Sequence, residues 1–248
     1  MKEGRTRFAK DIVAEYAIPL RDTGKVIIIA SGMPSGPSKG TLLSFFAKKG
    51  FTVIVFRYRG AWESSGSLLE FAPTKDLIQV IDELPKGFVD TWTGEKLKPQ
   101  ITNVFILGLS FGGPAAIAAA NHPLVKKIVT VSGVIDWKNG IGERESIPFM
   151  KKVIPQAFGE AYRIHKTGWA RLRSGKFYNP ATYDEISAEK ILMIHAKDDD
   201  VVLFAQTRDF AKKYKIKLMT LTRGGHLSSL ILTRPNIFKQ VKKFLFSK

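Results

Sequence analysis

Ser110, four histidines and the run Asp198-Asp199-Asp200 are the residues of this chain whose types could support covalent catalysis. Ser110 lies in Gly108-Leu109-Ser110-Phe111-Gly112, a G-x-S-x-G pattern. A serine hydroxyl is a weak nucleophile until a neighbouring base takes its proton and a third group orients the base. The chain has no cysteine, so thiol nucleophiles, thiolate metal sites and disulfides are excluded. Three adjacent carboxylates repel one another, and local stability gives no reason to collect them. They are either a solvated turn or a cluster from which one acid is used. A Ca²⁺ or Mg²⁺ site is not expected, because consecutive side chains diverge and no D-x-D-x-D-G loop is present.

The histidines differ in setting. His122 precedes Pro123 and reads as the end of a helix, and His165 lies among basic residues and reads as surface. His195 sits inside an apolar run and reads as a packed core residue. His226 follows the last apolar run on a Gly224-Gly225 turn, with a further helical stretch after it.

The elements that must position these residues are short apolar runs alternating with amphipathic stretches. Lys25–Ala30, Phe51–Phe56, Asn103–Gly108, Lys126–Gly133, Lys190–Ala196 and Ile216–Thr222 are continuous rather than alternating, as expected of parallel strands covered on both faces. Helices are predicted over Gly40–Lys49, Pro73–Leu84, Gly112–Asn121, Leu203–Tyr214 and Pro235–Phe246. The repetition implies a mostly parallel sheet with helices on both faces. Residues up to Leu20 are expected to add one or two antiparallel edge strands. Pro85–Gln100 reads as a surface hairpin turning at Thr93-Gly94, and 136–189 as an inserted cap within a single domain spanning 1–248. An apolar strand runs into the Ser110 motif and an alanine-rich helix leaves it. That context predicts a strained strand-to-helix turn holding the serine above the sheet, with the Phe111 N–H available to an oxyanion.

These residues resemble the α/β-hydrolase superfamily. The resemblance covers most of the chain and is nearest to compact serine hydrolases of the dienelactone-hydrolase, acylaminoacyl-peptidase and serine-aminopeptidase type. Phe56–Gly66, FRYRGAWESSG, is similar to that family's DYRGxGxSxG loop. It departs with Arg57 in place of the acidic residue and with Ala61-Trp62 in place of small residues. The resemblance implies the order serine, acid, histidine, and therefore Ser110 as nucleophile and His226 as base. The family pattern G-x-x-D-x-x-V aligns with Ala196 to Val202 and selects Asp199 over Asp198 and Asp200. Where the family ends its first core strand with His-Gly, this chain has Ser31-Gly32. Met33 then becomes the second backbone donor of an oxyanion hole, beside Phe111; Pro34 has no N–H.

The implied reaction is acyl transfer to Ser110 followed by hydrolysis, with no cofactor and no metal. A serine nucleophile argues against the aspartate-based dehalogenases and the cysteine-based dienelactone hydrolases. A carboxylesterase acting on short to medium acyl esters is the expectation. A peptidase of the acylaminoacyl or prolyl type is the alternative; such relatives usually carry a large N-terminal propeller, and roughly twenty residues precede the first core strand here. A non-catalytic binding scaffold is a third reading, against which the complete Ser, Asp and His set argues.

The formal charge is +17 across 248 residues. Lysines and arginines are spread as singles and pairs, without a basic tail or nucleic-acid motif, so no nucleic-acid partner is expected. Lys138–Pro180 carries nine Lys/Arg against three Glu, which would suit an anionic ester or peptide substrate or simply follow the global charge. Its aromatics, with Trp137, would line an acyl pocket or only pack. No apolar segment of bilayer length and no signal-peptide pattern is present, and a cytoplasmic, membrane-free protein is expected.

Overall fold

Apolar β-branched runs that cannot face water on either side set the architecture. The computed structural model describes residues 1–247. In chain order its elements are β1 (Lys2–Phe8), β2 (Ile12–Ile18), β3 (Lys25–Ala30), α1 (Gly40–Ala47), β4 (Thr52–Phe56), α2 (Thr74–Glu83), β5 (Phe88–Val89), β6 (Lys96–Leu97), β7 (Asn103–Leu109), α3 (Gly113–Ala118), β8 (Val125–Val131), α4 (Ile147–Phe158), α5 (Gly168–Arg173), β9 (Ile191–Ala196), α6 (Phe204–Tyr214), β10 (Lys217–Leu221) and α7 (Pro235–Leu245).

The main sheet has the order β1-β2-β4-β3-β7-β8-β9-β10. Strands β1 and β2 form an antiparallel hairpin, and β2 meets β4 antiparallel. From β4 to β10 every pairing is parallel. The polar excursion after α2 forms the short hairpin β5–β6.

Strand periodicity divides the core into two layers. Ile27, Ile29, Val53, Val55, Phe105 and Leu107 pack with Leu42 and Phe46 of α1 and Val241 and Phe244 of α7. Their alternates Val26, Ile28, Ile54, Phe56, Val104 and Ile106 pack with Leu77 and Val80 of α2, Ala115 and Ala116 of α3, and Phe210 of α6. Both faces are therefore covered, which is why these strands read as unbroken apolar runs.

Between β8 and β9 the chain leaves the sheet and forms α4 and α5. Short bridges, Ala61 with Tyr162 and Leu68 with Ile164, lay this excursion against the loop that follows β4. A third, Ile141 with Val202, ties its beginning to the turn that precedes α6. Arg163 donates to the carbonyls of Trp62 (3.1 Å) and Ser64, and Arg171 to those of Leu69 (3.2 Å) and Glu70 (2.6 Å). Two of its cations are thus spent on backbone oxygens of the sheet domain. Among the described residues no helix is long and apolar enough to cross a membrane.

After β3 the chain goes first to β4 on one side and then to β7 on the other. The strand order reverses between β3 and β7, and the crevice at the carboxyl ends of those strands is where open α/β sheets place ligands. Ser31 follows β3 there, and Ser110 follows β7.

Candidate active site

Strand β7 delivers Ser110 through a turn with little conformational freedom. Ser110 has φ +47°, in the left-handed region that L-residues avoid. The two glycines of the motif make that turn possible. A Cβ on Gly108 would lie 2.6 Å from the Ala116 Cβ, and one on Gly112 would collide with the Ala30 carbonyl oxygen. Pro114 falls in the first turn of α3, where its missing N–H costs nothing. Residues Ser110–Gly112 form a short 3₁₀ turn and α3 is brief, so the predicted helix over Gly112–Asn121 is broken at both ends. The Phe111 ring is buried against Tyr58, Trp137 and Tyr178 at centroid distances of 5.4, 5.8 and 5.2 Å. Its carbonyl accepts from the Tyr178 hydroxyl at 2.6 Å. Burial pushes the Tyr178 phenol well above its ordinary pKa, so it is a donor at neutral pH. Trp137 and Tyr178, two of the aromatics between β8 and β9, thus pack behind the Ser110 turn.

The three aspartates have separate partners. Asp199 is fully buried and meets His226, whose Nδ1 lies 3.0 Å from Oδ2 and 3.2 Å from Oδ1. Asp199 Oδ1 also accepts from the N–H groups of Val201 (3.0 Å) and Val202 (2.9 Å). Asp198 turns the other way and accepts from Gly225 N (2.9 Å) and Gly224 N (3.2 Å), fastening the loop that carries His226. Asp200 is exposed and faces Arg144 at 3.2 Å. Consecutive side chains diverge, and a tight turn lets each find a different partner.

His226 retains about a quarter of its side-chain surface. Its loop lies against the segment that follows β8, since Leu227 N donates to Ser132 Oγ at 3.2 Å, and that segment reaches the Ser110 turn through Val134 N, which donates to the Ser110 carbonyl at 3.2 Å. With Nδ1–H held by Asp199, the Nε2 lone pair is left for a proton acceptor's role.

His195 is buried as predicted, and it also touches the site. Its Nε2 is 3.1 Å from Asp199 Oδ2 and 2.8 Å from the Val202 carbonyl, and its Nδ1 is 3.0 Å from Thr207 Oγ1 of α6. Asp199 therefore lies between two imidazoles. Burial pushes its carboxyl up, but the hydrogen bonds from His195 and His226, the His226 charge and the Val202 N–H outweigh that, and the group lies below the usual carboxylate range. Spacing alone could have raised this contact, because a strand residue four before a turn aspartate is close enough to reach back. The other histidines are remote: His122 faces Asp82 at 2.9 Å, and His165 hydrogen-bonds Thr167 at 3.0 Å.

Ser31-Gly32-Met33 leaves β3 beside Ser110. A Cβ on Gly32 would stand 3.3 Å from Ser110 Cβ and 3.9 Å from its hydroxyl, so the loop backbone passes directly over the serine. Met33 is buried, and the Ser31 carbonyl accepts from Tyr58 Oη at 3.2 Å. The departures in the loop after β4 have partners as well. Arg57 is buried between Glu15 (2.7 Å) and Glu63 (2.9 Å), and Arg5 contacts the same two carboxylates at 3.7 and 3.0 Å. Two cations alternate with two anions, so the arginine that replaces the family's acid is compensated from β2 and from its own loop. Among the described residues there is no cluster of three or more His, Asp or Glu placed to hold a metal ion.

Several known structures share this fold. An esterase of Pyrococcus furiosus superposes with a TM-score of 0.69 at 15% identity, over 98% of this chain and 90% of its own. Est1E of Butyrivibrio proteoclasticus gives 0.65 at 16% identity, over the full length of both. The acylaminoacyl peptidase of Pyrococcus horikoshii gives 0.65 at 19% identity, over 98% of this chain but only 40% of the peptidase. These likenesses establish the α/β-hydrolase fold expected from the sequence. No curated protein matches by sequence. The model of the prolyl oligopeptidase family matches residues 38–245, which takes in the Ser110 turn, the aspartate run and His226, and the chain belongs to that family.

Proposed function

We propose that the chain is a carboxylesterase for short to medium acyl esters, working through an acyl-enzyme on Ser110. The observation that carries the reading is the buried Asp199–His226 contact at the same sheet edge as a serine held at φ +47°. In the first step Ser110 Oγ bonds to the ester carbonyl carbon and its proton passes to His226 Nε2. The carbonyl oxygen takes the negative charge and is met by the N–H groups of Met33 and Phe111, each contributing on the order of 3 kcal/mol. The intermediate collapses, the C–O bond to the alcohol breaks, and His226 returns the proton to that oxygen. Water, deprotonated by His226, then attacks the acyl carbon and releases Ser110 and the acid. Asp199 holds the Nδ1–H tautomer throughout and stabilises the charged imidazolium.

Family membership favours the second reading, a serine peptidase, and a catalytically silent scaffold is the third. The two arginines already bound to carbonyls weaken the case for an anionic substrate. Two measurements separate these readings. A fluorophosphonate probe should label wild type and not Ser110→Ala; no labelling of wild type would leave the scaffold. Turnover of p-nitrophenyl esters of graded length should exceed that of aminoacyl anilides; the reverse order would establish the peptidase.

A further inference from the structure

The oxyanion loop is gripped by two aromatic residues, Trp62 and Tyr162. Trp62 occupies a position where a small residue is expected, and Tyr162 comes from the excursion between β8 and β9. The Tyr162 hydroxyl accepts from Ser35 N at 2.8 Å and donates to Ser35 O at 2.9 Å. The Trp62 indole N–H donates to the same carbonyl at 3.1 Å. Both acceptor sites of the Ser35 carbonyl and its N–H are thereby used, two residues beyond Met33.

The grip is itself braced. Trp62 has φ +51°, and its N–H donates to the Ala161 carbonyl at 2.7 Å while its carbonyl accepts from Arg163 at 3.1 Å. Trp62, Phe158 and Tyr162 meet edge to face at 6.5, 6.2 and 5.5 Å. The Gly/Pro-rich loop 31–39 is in this way fixed to aromatic donors on two other segments. Oxyanion donors are effective only if they are in place before charge develops, since reorienting them during the reaction would cost part of the stabilisation.

We propose that Trp62 and Tyr162 are positioning residues that preset the oxyanion loop, so that the excursion between β8 and β9 acts on turnover through Ser35. The inference rests on the Ser110 hydrolase reading above. Its test compares Tyr162→Phe, which removes only the hydroxyl, and Trp62→Phe, which removes the indole N–H and keeps an aromatic ring. With a short p-nitrophenyl ester, each variant should lose about tenfold in kcat with KM changed less than twofold, because the loop engages charge present only in the transition state. Affinity for a trifluoromethyl ketone, which forms an oxyanion on Ser110, should fall by the same factor. Hydrogen exchange over residues 31–38 should quicken in both.

A purely structural role would lower Tm without this split and without the parallel loss of ketone affinity. Parent kcat in both folded variants, or unchanged exchange over 31–38, overturns the proposal while leaving the hydrolase reading intact. Absence of Ser110-dependent turnover in wild type removes the hydrolase reading, and the positioning role falls with it.

Discussion

Replacing Asp199 by asparagine is the most informative single change at this site. Four donors converge on the carboxylate: Val201 N and Val202 N on Oδ1, His195 Nε2 on Oδ2, and His226 Nδ1 on both oxygens. An asparagine keeps the shape but owns one acceptor oxygen. The backbone N–H pair claims that oxygen, which puts the amide NH₂ against both imidazoles. Each ring must then present an acceptor nitrogen. For His226 this means a bare Nδ1 and a protonated Nε2, the tautomer that cannot take a proton from Ser110. A loss of about 10⁴ in kcat is expected, about 5 kcal/mol of transition-state stabilisation. His195 must also exchange its tautomer, which unsettles its bond to the Val202 carbonyl and costs about 1–3 kcal/mol of stability. The assay is kcat on p-nitrophenyl acetate beside a thermal melt. Stability should also lose part of its acid dependence. The Asp199 carboxyl lies below its unfolded value of about 3.9. Its contribution is therefore present above roughly pH 4 and fades as pH falls through the native pKa, and the asparagine variant lacks that component. A folded Asp199→Asn protein with kcat within tenfold of the parent would refute the assignment of this residue to His226.

Three further outcomes follow from neighbouring contacts. Asp200→Asn, which disturbs only an exposed pair with Arg144, should leave kcat within twofold, whereas Asp198→Asn should cost roughly three- to tenfold by loosening the Gly224-Gly225 turn; equal effects would mean the three carboxylates are not divided as described. His195→Phe removes a donor from ionised Asp199, so the acid limb of the pH–rate profile should move to higher pH and kcat fall about tenfold, with His195→Gln, which keeps a donor, restoring part of both; a profile that does not move would confine His195 to packing. Gly112→Ala forces a Cβ into the Ala30 carbonyl and should destabilise by about 3 kcal/mol or more, read as a Tm drop of several degrees; a parent-like Tm would show that the β7–α3 turn can relax.

Much of the frame was legible in the residue pattern. The runs at Lys25–Ala30, Asn103–Gly108 and Lys190–Ala196 became strands within a residue or two of their expected bounds, because continuous apolar β-branched sequence has one comfortable place, the interior of a covered parallel sheet. The Ser110 turn was legible for a steric reason: glycine on both sides of a serine between strand and helix is a demand of close backbone approach, and Gly108 and Gly112 meet it. His226 was singled out by its Gly-Gly turn after the last strand and by the family resemblance, and the structure sets its Nδ1 3.0 Å from Asp199. The helix over Gly112–Asn121 was overextended, since alanine-rich sequence favours helix but the turn at Ser110–Gly112 and the one at Ala119–Asn121 tighten into 3₁₀ geometry.

What the chain determines by itself is thus the set of local obligations: which segments must be buried, where glycine is indispensable, and which side chains carry reactive groups. Pairwise partnership was decided only in three dimensions. Residue type does not distinguish the members of the run Asp198-Asp199-Asp200, and the family pattern singles out only Asp199; that Asp198 fastens a loop, Asp199 meets two histidines and Asp200 faces a surface arginine follows from the direction of each side chain on one turn. Arg57 reads as a lone departure until Glu15, Glu63 and Arg5 surround it. Tyr162 lies 127 residues from Ser35, and only the folding of the excursion onto the β4 loop lets one hydroxyl hold that backbone. Hydrogen bonds and ion pairs act over a few ångströms, so their partners are set by the packing of distant segments, which local sequence does not encode.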